Sequence, residues 1–348
     1  MTTQKALVIV GTNRAEVITN RSQPALPDDC ILVKTIAVAL NPADWKLLSQ
    51  SPPAGALLGF DYSGTVQQVG KTVTQSFKIG DRVFGYGRGA NSDRLEDGTF
   101  AEYIIVKGDL QIRIPEYLTF EEAATMGVAL YTAGQGLIQN LGLPFPDEQS
   151  NEATPILIYG GSSATGAMGI QLARLCGYTP LATCSKHNFD YVLSLGAAAV
   201  FDYKDPECGI KIRDHTKDSL ALAWDTISDD SSALICAKAL SSSGGLYGSL
   251  GPSKCPRDDV QSNMTIGTTL FGEELHFGDF KIPAMPDHLA FAKKLALLCE
   301  DLLAEKKIKP LVPRVMNGGL RGAAEGLELL RQNQVSAQKL VYRVADTA

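Results

Sequence analysis

The chain has 348 residues, 45% of them apolar and 20% charged, with a formal net charge of −6. That length and balance suit a globular protein of two domains and argue against disorder. The acidic balance gives no basic stripe for nucleic acid, and no window nears the ~18 apolar residues of a membrane span, so neither is an expected partner and the expected compartment is the cytoplasm.

Residues 5–10 and 30–40 read as strands, with turn chemistry between them at Pro24, Pro27, Asp28 and Asp29. Asn41 to Lys46 open a short helix or turn, and a Pro/Gly stretch runs from Ser51 to Gly55. LLGFDYSGTVQQVG is a strand with glycines at Gly59 and Gly64, and the turn Lys78-Ile79-Gly80-Asp81 leads into RVFGYG. Residues 87–98 predict a surface loop, followed by a strand from Thr99 to Val106. At Thr119 the character changes. Thr119 reads as a helix cap with Glu122 three residues on, ahead of apolar residues at helical spacing, and Asp147 to Thr154 is a polar loop.

From 156 to about 270 the chain alternates, with strands over 156–159, 180–183, 198–201, 220–224, 244–248 and 264–271 and helices over 163–176, 187–195, 207–215 and 230–240. That alternation is the signature of a doubly wound parallel sheet. A helix from Asp287 to Lys306, a strand near 311–315, a helix from Leu320 to Arg331 and a strand from Lys339 to Val344 finish the chain. The fold class is α/β.

The segment Ile156 to Gly177 reads ILIYGGSSATGAMGIQLARLCG, a strand, a small-residue turn and a helix. A helix N-terminus facing such a turn is an anion site. Ala164, Gly166 and Gly169 are the nearest match to GxGxxG, with alanine in the first place. After the next strand come Ser185, Lys186, His187 and Asn188, where an NAD enzyme carries a carboxylate for the ribose diol. A hydroxyl and a cation there suit the 2′-phosphate of NADPH. Because ligands of such sheets sit beyond the strand ends, Tyr203 after the third strand and Leu250 with Gly251 after the fifth join the candidates.

Seven scattered cysteines contain no CxxC pair, and the four histidines form no HxH or HExxH group. The sequence offers no metal site and no disulfide framework.

Asn41-Pro42, GFDYSGTVQQVG, GDRVFG, GTFAEY, the loop at 160–169 and the segment from Gly196 follow one another in an order that resembles the medium-chain dehydrogenase/reductase superfamily. The resemblance implies a GroES-like β-rich catalytic domain over residues 1–125 and 276–348, interrupted by a Rossmann cofactor domain over 126–275. Gly59, Phe60 and Asp61 stand where zinc-dependent members carry Gly-His-Glu, so the chain resembles the zinc-free members. NPADWK, ATCSKHNFD, TLFGE and VSAQKLV are similar to the stand-alone trans-acting enoyl reductases that serve fungal polyketide synthases.

That resemblance implies NADPH as cofactor, an acyl-carrier-bound polyketide of a polyketide synthase as substrate and partner, and a monomer, with a homodimer as the alternative. It places Ala43, Asp44, Trp45 and Lys46 beside the nicotinamide and ribose, with Lys46 as the catalytic candidate. Ser163, Ala164, Thr165 and Gly166 would hold the pyrophosphate, and Ser185, Lys186, Asn188 and Tyr203 the 2′-phosphate. Val335 and Ser336 would close over the cofactor's far end. Thr125, Met126, Gly127, Val128, Ala129, Leu130, Tyr131 and Thr132, with Thr269, Leu270, Phe271, Gly272 and Glu273, would line the acyl channel. A soluble quinone reductase and a non-catalytic NADPH-binding protein are the alternatives.

Overall fold

β-Branched and apolar residues build the first part of the chain as β1 (Thr3–Gly11), β2 (Arg14–Ser22), β3 (Cys30–Ala39), helix α1 (Pro42–Leu48), β4 (Asp61–Val69), β5 (Arg82–Tyr86), β6 (Tyr103–Lys107) and β7 (Ile112–Arg113). Two helices follow, α2 (Phe120–Ala123) and α3 (Gly127–Gly134). The alternating part contains β8 (Pro155–Tyr159), α4 (Ala164–Leu175), β9 (Thr179–Cys184), α5 (Phe189–Ser194), β10 (Ala199–Asp202), α6 (Cys208–His215), β11 (Leu222–Asp225), α7 (Asp230–Ala239), β12 (Gly245–Ser249) and β13 (Val260–Met264). The chain ends with β14 (Leu275–Phe277), β15 (Phe280–Ile282), α8 (Pro286–Ala304), β16 (Pro313–Met316), α9 (Gly319–Arg331) and β17 (Lys339–Arg343). This computed structural model describes residues 2–50, 53–148, 154–277 and 280–348. Ser51 and Pro52 of the Pro/Gly stretch and residues 149–153 of the polar loop lie outside the described residues.

The chain divides into two units, residues 1–128 with 268–348, and residues 129–267. In the first, a seven-stranded sheet runs β16-β17-β3-β4-β5-β7, with β6 paired to β3. Its core gathers Leu7, Ile31, Val38, Tyr62, Phe100, Leu320 and Tyr342, all at most 1% exposed. Polar Arg14, Glu16 and Arg21 hide β2 from a periodicity search. Pairing with β1 across a turn that holds Asn13 at φ 56° makes it a strand. The surface loop expected over 87–98 is in part interior: Arg88, Asn91 and Asp97 are buried. Its polar groups satisfy one another, Asn91 Nδ2 donating to Asp97 Oδ2 at 2.7 Å and the Arg88 N–H to the Asp97 carbonyl at 2.9 Å. A polar sequence can be buried when it carries its own partners.

The second unit holds a six-stranded parallel sheet of order β10-β9-β8-β11-β12-β13. Counted from β8, that is the order 3-2-1-4-5-6 of a dinucleotide fold, with its switch point between β8 and β11. The strand expected over 264–271 is corrected. Val260–Met264 forms β13, in register with Gly245–Ser249, and Gly267–Phe271 coils into a 3₁₀ turn. The β-branched residues there suggest a strand, but the β12 partner ends at Ser249. Trp224 fills the middle of this unit, and glycines make room for it: a Cβ at Gly136, Gly169 or Gly248 would lie 2.4, 2.5 or 2.9 Å from its ring. Gly169 therefore serves helix-to-sheet packing.

Candidate functional site

The loop after β8 runs into the start of helix α4. Gly160 turns the chain at φ 81°, which an L side chain resists. Ser163 caps the twelve-residue α4, its Oγ accepting the Gly166 N–H at 3.0 Å. The free N–H groups of a helix start then belong to Ala164 and Thr165. A Cβ on Gly166 would sit 2.2 Å from the Gly160 carbonyl oxygen, so the loop closes on itself only because Gly166 has none. This cradle fits a pyrophosphate. Thr226, just past β11, completes it at the switch point, with its Oγ1 2.9 Å from Ser163 Oγ and donating to the Tyr159 carbonyl at 2.8 Å. Motif spacing does not reveal Thr226, because only the strand order brings the ends of β8 and β11 together.

The parallel register of β9 and β10 sets Cys184 opposite Asp202. The following residues converge as a consequence: Ser185 Oγ donates to the Tyr203 hydroxyl at 3.2 Å. Lys186 and His187 are exposed on a single 3₁₀ turn over Lys186–Asn188, and Asn188 is buried. Two hydroxyls and a cation at a strand end can take a phosphate. After β12, the Leu250 N–H donates to Ser228 Oγ at 2.7 Å, while Ser249 Oγ donates to the Gly251 carbonyl at 2.8 Å. Leu250 thereby ties the ends of β11 and β12, and Gly251 folds back on the last residue of β12.

In the other unit, α1 carries Ala43, Trp45 and Lys46 at partly or fully exposed positions, with the Lys46 ammonium 5.9 Å from the centre of the Trp45 ring. Asp44 is different. It is fully buried, its Oδ2 accepts the Asn41 N–H at 2.7 Å, and its Oδ1 has no partner. Burial, joined by the nearby Asp61 charge, pushes its carboxyl up to about 8, although the Asn41 N–H and Lys339 pull it down. Burial therefore favours the neutral form of this acid.

Beneath α1 lies a buried ion pair that sequence reasoning missed. Lys339 Nζ donates to Asp61 Oδ2, to Asn41 Oδ1 at 2.9 Å and to the Thr125 carbonyl at 3.2 Å. Asp61 Oδ2 also accepts from Asn41 Nδ2 at 2.9 Å, and its Oδ1 takes the Val128 N–H at 2.7 Å. Val335 is half-buried against the core and Ser336 is exposed, three residues before Lys339. Tyr62, on β4, is fully buried and donates to Gln111 Oε1 at 2.8 Å.

The expected channel residues are mostly interior. Thr125 and Met126 are fully buried, as are Ala129, Leu130 and Tyr131 to within 1%, and a Cβ on Gly127 would strike the Gly85 carbonyl at 2.2 Å. Val128 and Thr132 keep partial exposure. On the 3₁₀ turn, Leu270 is buried, Thr269 Oγ1 lies 2.8 Å from His288 Nδ1, and the Phe271 ring is 4.8 Å from that of Tyr86. Gly272 turns the chain at φ 73°. Glu273 meets Lys107 at 2.9 Å, Arg94 at 3.1 Å and Arg88 at 3.4 Å, so its carboxylate is engaged in a network of ion pairs. Among the described residues, no three His, Cys, Asp or Glu side chains gather as metal ligands, and no helix is long and apolar enough to cross a membrane.

The alcohol dehydrogenase GroES-like domain family matches residues 27–116. The trans-enoyl reductase resD of Aspergillus sclerotiorum is 46% identical over 98% of this chain and the whole of its own length. TOXD, a trans-enoyl reductase of Cochliobolus carbonum, is 49% identical over 78% of this chain and 92% of its own. Two solved structures share the fold: an alcohol dehydrogenase superfamily protein from Novosphingobium aromaticivorans (TM-score 0.79, 23% identity, 98% of this chain and 99% of that one) and the CurK enoyl reductase (TM-score 0.75, 17% identity, 98% of each). With relatives this similar along the whole chain, on a fold that pairs a GroES-like sheet with a six-stranded parallel one, the chain belongs to the trans-enoyl reductase family of the medium-chain dehydrogenase/reductase superfamily.

Proposed function

We propose that the chain is a zinc-independent, NADPH-dependent enoyl reductase that acts in trans on an α,β-unsaturated polyketide thioester carried by a polyketide synthase. The 46% identity to a trans-enoyl reductase along 98% of the chain carries the activity. Ser185, Lys186 and Tyr203, where an NAD enzyme has a carboxylate, support NADPH over NADH. The cofactor supplies hydride to the β-carbon of the enoyl group. The residues' task is placement and charge. Ser163 to Gly166 would hold the pyrophosphate, and Ser185, Lys186, Asn188 and Tyr203 the 2′-phosphate. Lys46, a solvent-facing cation on α1, would steady the nicotinamide ribose or meet the thioester oxygen as negative charge develops on it. Work in the cytoplasm as a monomer belongs to the same proposal.

The test is oxidation of NADPH, read by its near-ultraviolet absorbance, with a short α-methyl enoyl thioester and in parallel with a simple quinone. Thioester turnover is expected to dominate. Turnover of the quinone alone would replace the proposal with a quinone reductase. For cofactor choice, Lys186→Ala is expected to weaken NADPH binding by about 10- to 30-fold, the low end for a hydrogen bond to a charged group, and NADH by no more than about 2-fold. Equal losses for the two cofactors would remove the 2′-phosphate assignment.

A further inference from the structure

The Lys339–Asp61 pair is sealed, with side chains 3% and 0% exposed. An ammonium has three N–H donors, and Lys339 aims them at Asp61, Asn41 and the Thr125 carbonyl, one on each of three other segments. Asp61 answers with both oxygens, one to Asn41 and one to the Val128 N–H in the first turn of α3. Four stretches distant in sequence thus meet at one point: the cap of α1, the start of β4, the start of α3 and the start of β17. Each could be held more cheaply by apolar packing, because burying two charges costs about as much as their attraction returns. What the pair offers is direction. Asn41 caps the helix that carries Lys46, and its own side chain is fixed at both ends, Nδ2 by Asp61 and Oδ1 by Lys339. Asp44, in the first turn of α1, accepts the Asn41 N–H through Oδ2 at 2.7 Å, so a shift of Asn41 carries that turn with it.

We propose that Lys339, acting through Asp61 and Asn41, is a positioning residue for the nicotinamide end of the cofactor: it fixes the first turn of α1 against the start of α3, and so sets where Lys46 stands. The inference rests on the assignment of NADPH to this chain. Removing one partner strands a buried charge, so Lys339→Met and Asp61→Asn are each expected to lower the thermal midpoint of the cofactor-free protein markedly. The double variant Asp61→Asn with Lys339→Met has no stranded charge and separates structure from placement.

Three quantities are measured on wild type and on the double variant: the thermal midpoint without cofactor, NADPH affinity with the emission of the bound nicotinamide, and kcat on the enoyl thioester. The double variant is expected to recover most of the midpoint lost in the single variants and to bind NADPH within about 3-fold of wild type, since the pyrophosphate and 2′-phosphate residues are untouched. Its bound nicotinamide is expected to emit like free NADPH, and kcat to fall at least about 30-fold, the scale of loss for a reactant held out of line. A double variant that regains the midpoint, the emission and kcat together would make the pair a structural element only and overturn the positioning role. Wild type that binds no NADPH would fail the cofactor assignment itself, and the positioning role with it. Wild type that binds NADPH with altered nicotinamide emission, but turns over no enoyl thioester, would fail the substrate assignment alone, and the emission of the double variant would still decide the positioning role.

Discussion

Gly166→Ala is expected to lower NADPH affinity by at least about 100-fold while the cofactor unit stays folded. The added methyl would meet the Gly160 carbonyl oxygen at 2.2 Å, the Gly160 carbonyl carbon at 2.9 Å and Gly161 Cα at 3.0 Å. All three are backbone atoms in a turn already committed to positive φ at Gly160, so relief requires the loop to open. Helix propensity favours alanine over glycine by only about 1 kcal/mol, too little to hold the loop closed against such an overlap. Opening it turns the N–H groups of the helix start away from an anion, which is why the loss is read in binding. The contrast is Gly169→Ala, whose methyl meets the Trp224 ring at 2.5 Å in the interior and costs stability before it costs affinity. Titration of NADPH by protein fluorescence, with near-ultraviolet circular dichroism to confirm the fold, checks the first variant. Affinity within about 3-fold of wild type would take the pyrophosphate away from this loop.

What the sequence shows directly is whatever is local. The strand, turn and helix from Ile156 to Gly177 are legible because an apolar run, small residues and helical spacing lie side by side, and the structure forms β8, the Ser163 cap and α4 there. Thr119 with Glu122 is legible for the same reason, as a reciprocal cap. The Ser185 and Tyr203 contact is half legible: each stands at a strand end, but their approach depends on the β9–β10 register. Thr226 and the Lys339–Asp61–Asn41 cluster are invisible to local reading, since their partners lie 63, 278 and 298 positions away. Lys339 misleads further, because a lysine opening a strand normally faces water. The loop over 87–98 misleads in the same direction, its polar residues being buried on one another.

Lys46→Ala is expected to lower kcat/KM on the enoyl thioester by about 10²- to 10³-fold, the range for loss of one donor aimed at developing negative charge. Lys46 is exposed, and its contact with the Trp45 ring, centroid 5.9 Å away, is worth only about 0.5–1 kcal/mol, so the fold should not be what fails. Alanine is also a good helix former at this position in α1. How the loss divides identifies the role. A fall confined to kcat, with unchanged KM for NADPH, makes the ammonium a donor to the thioester oxygen. A raised KM for NADPH with kcat preserved makes it a ribose contact of uniform binding. Lys46→Arg keeps the charge but spreads it over a planar fork, so partial recovery is expected in the second case and little in the first. Steady-state kinetics on the two variants, with thermal midpoints matched to wild type, decide between them, and unchanged kcat/KM in Lys46→Ala would leave Lys46 as a surface lysine and α1 without its catalytic group.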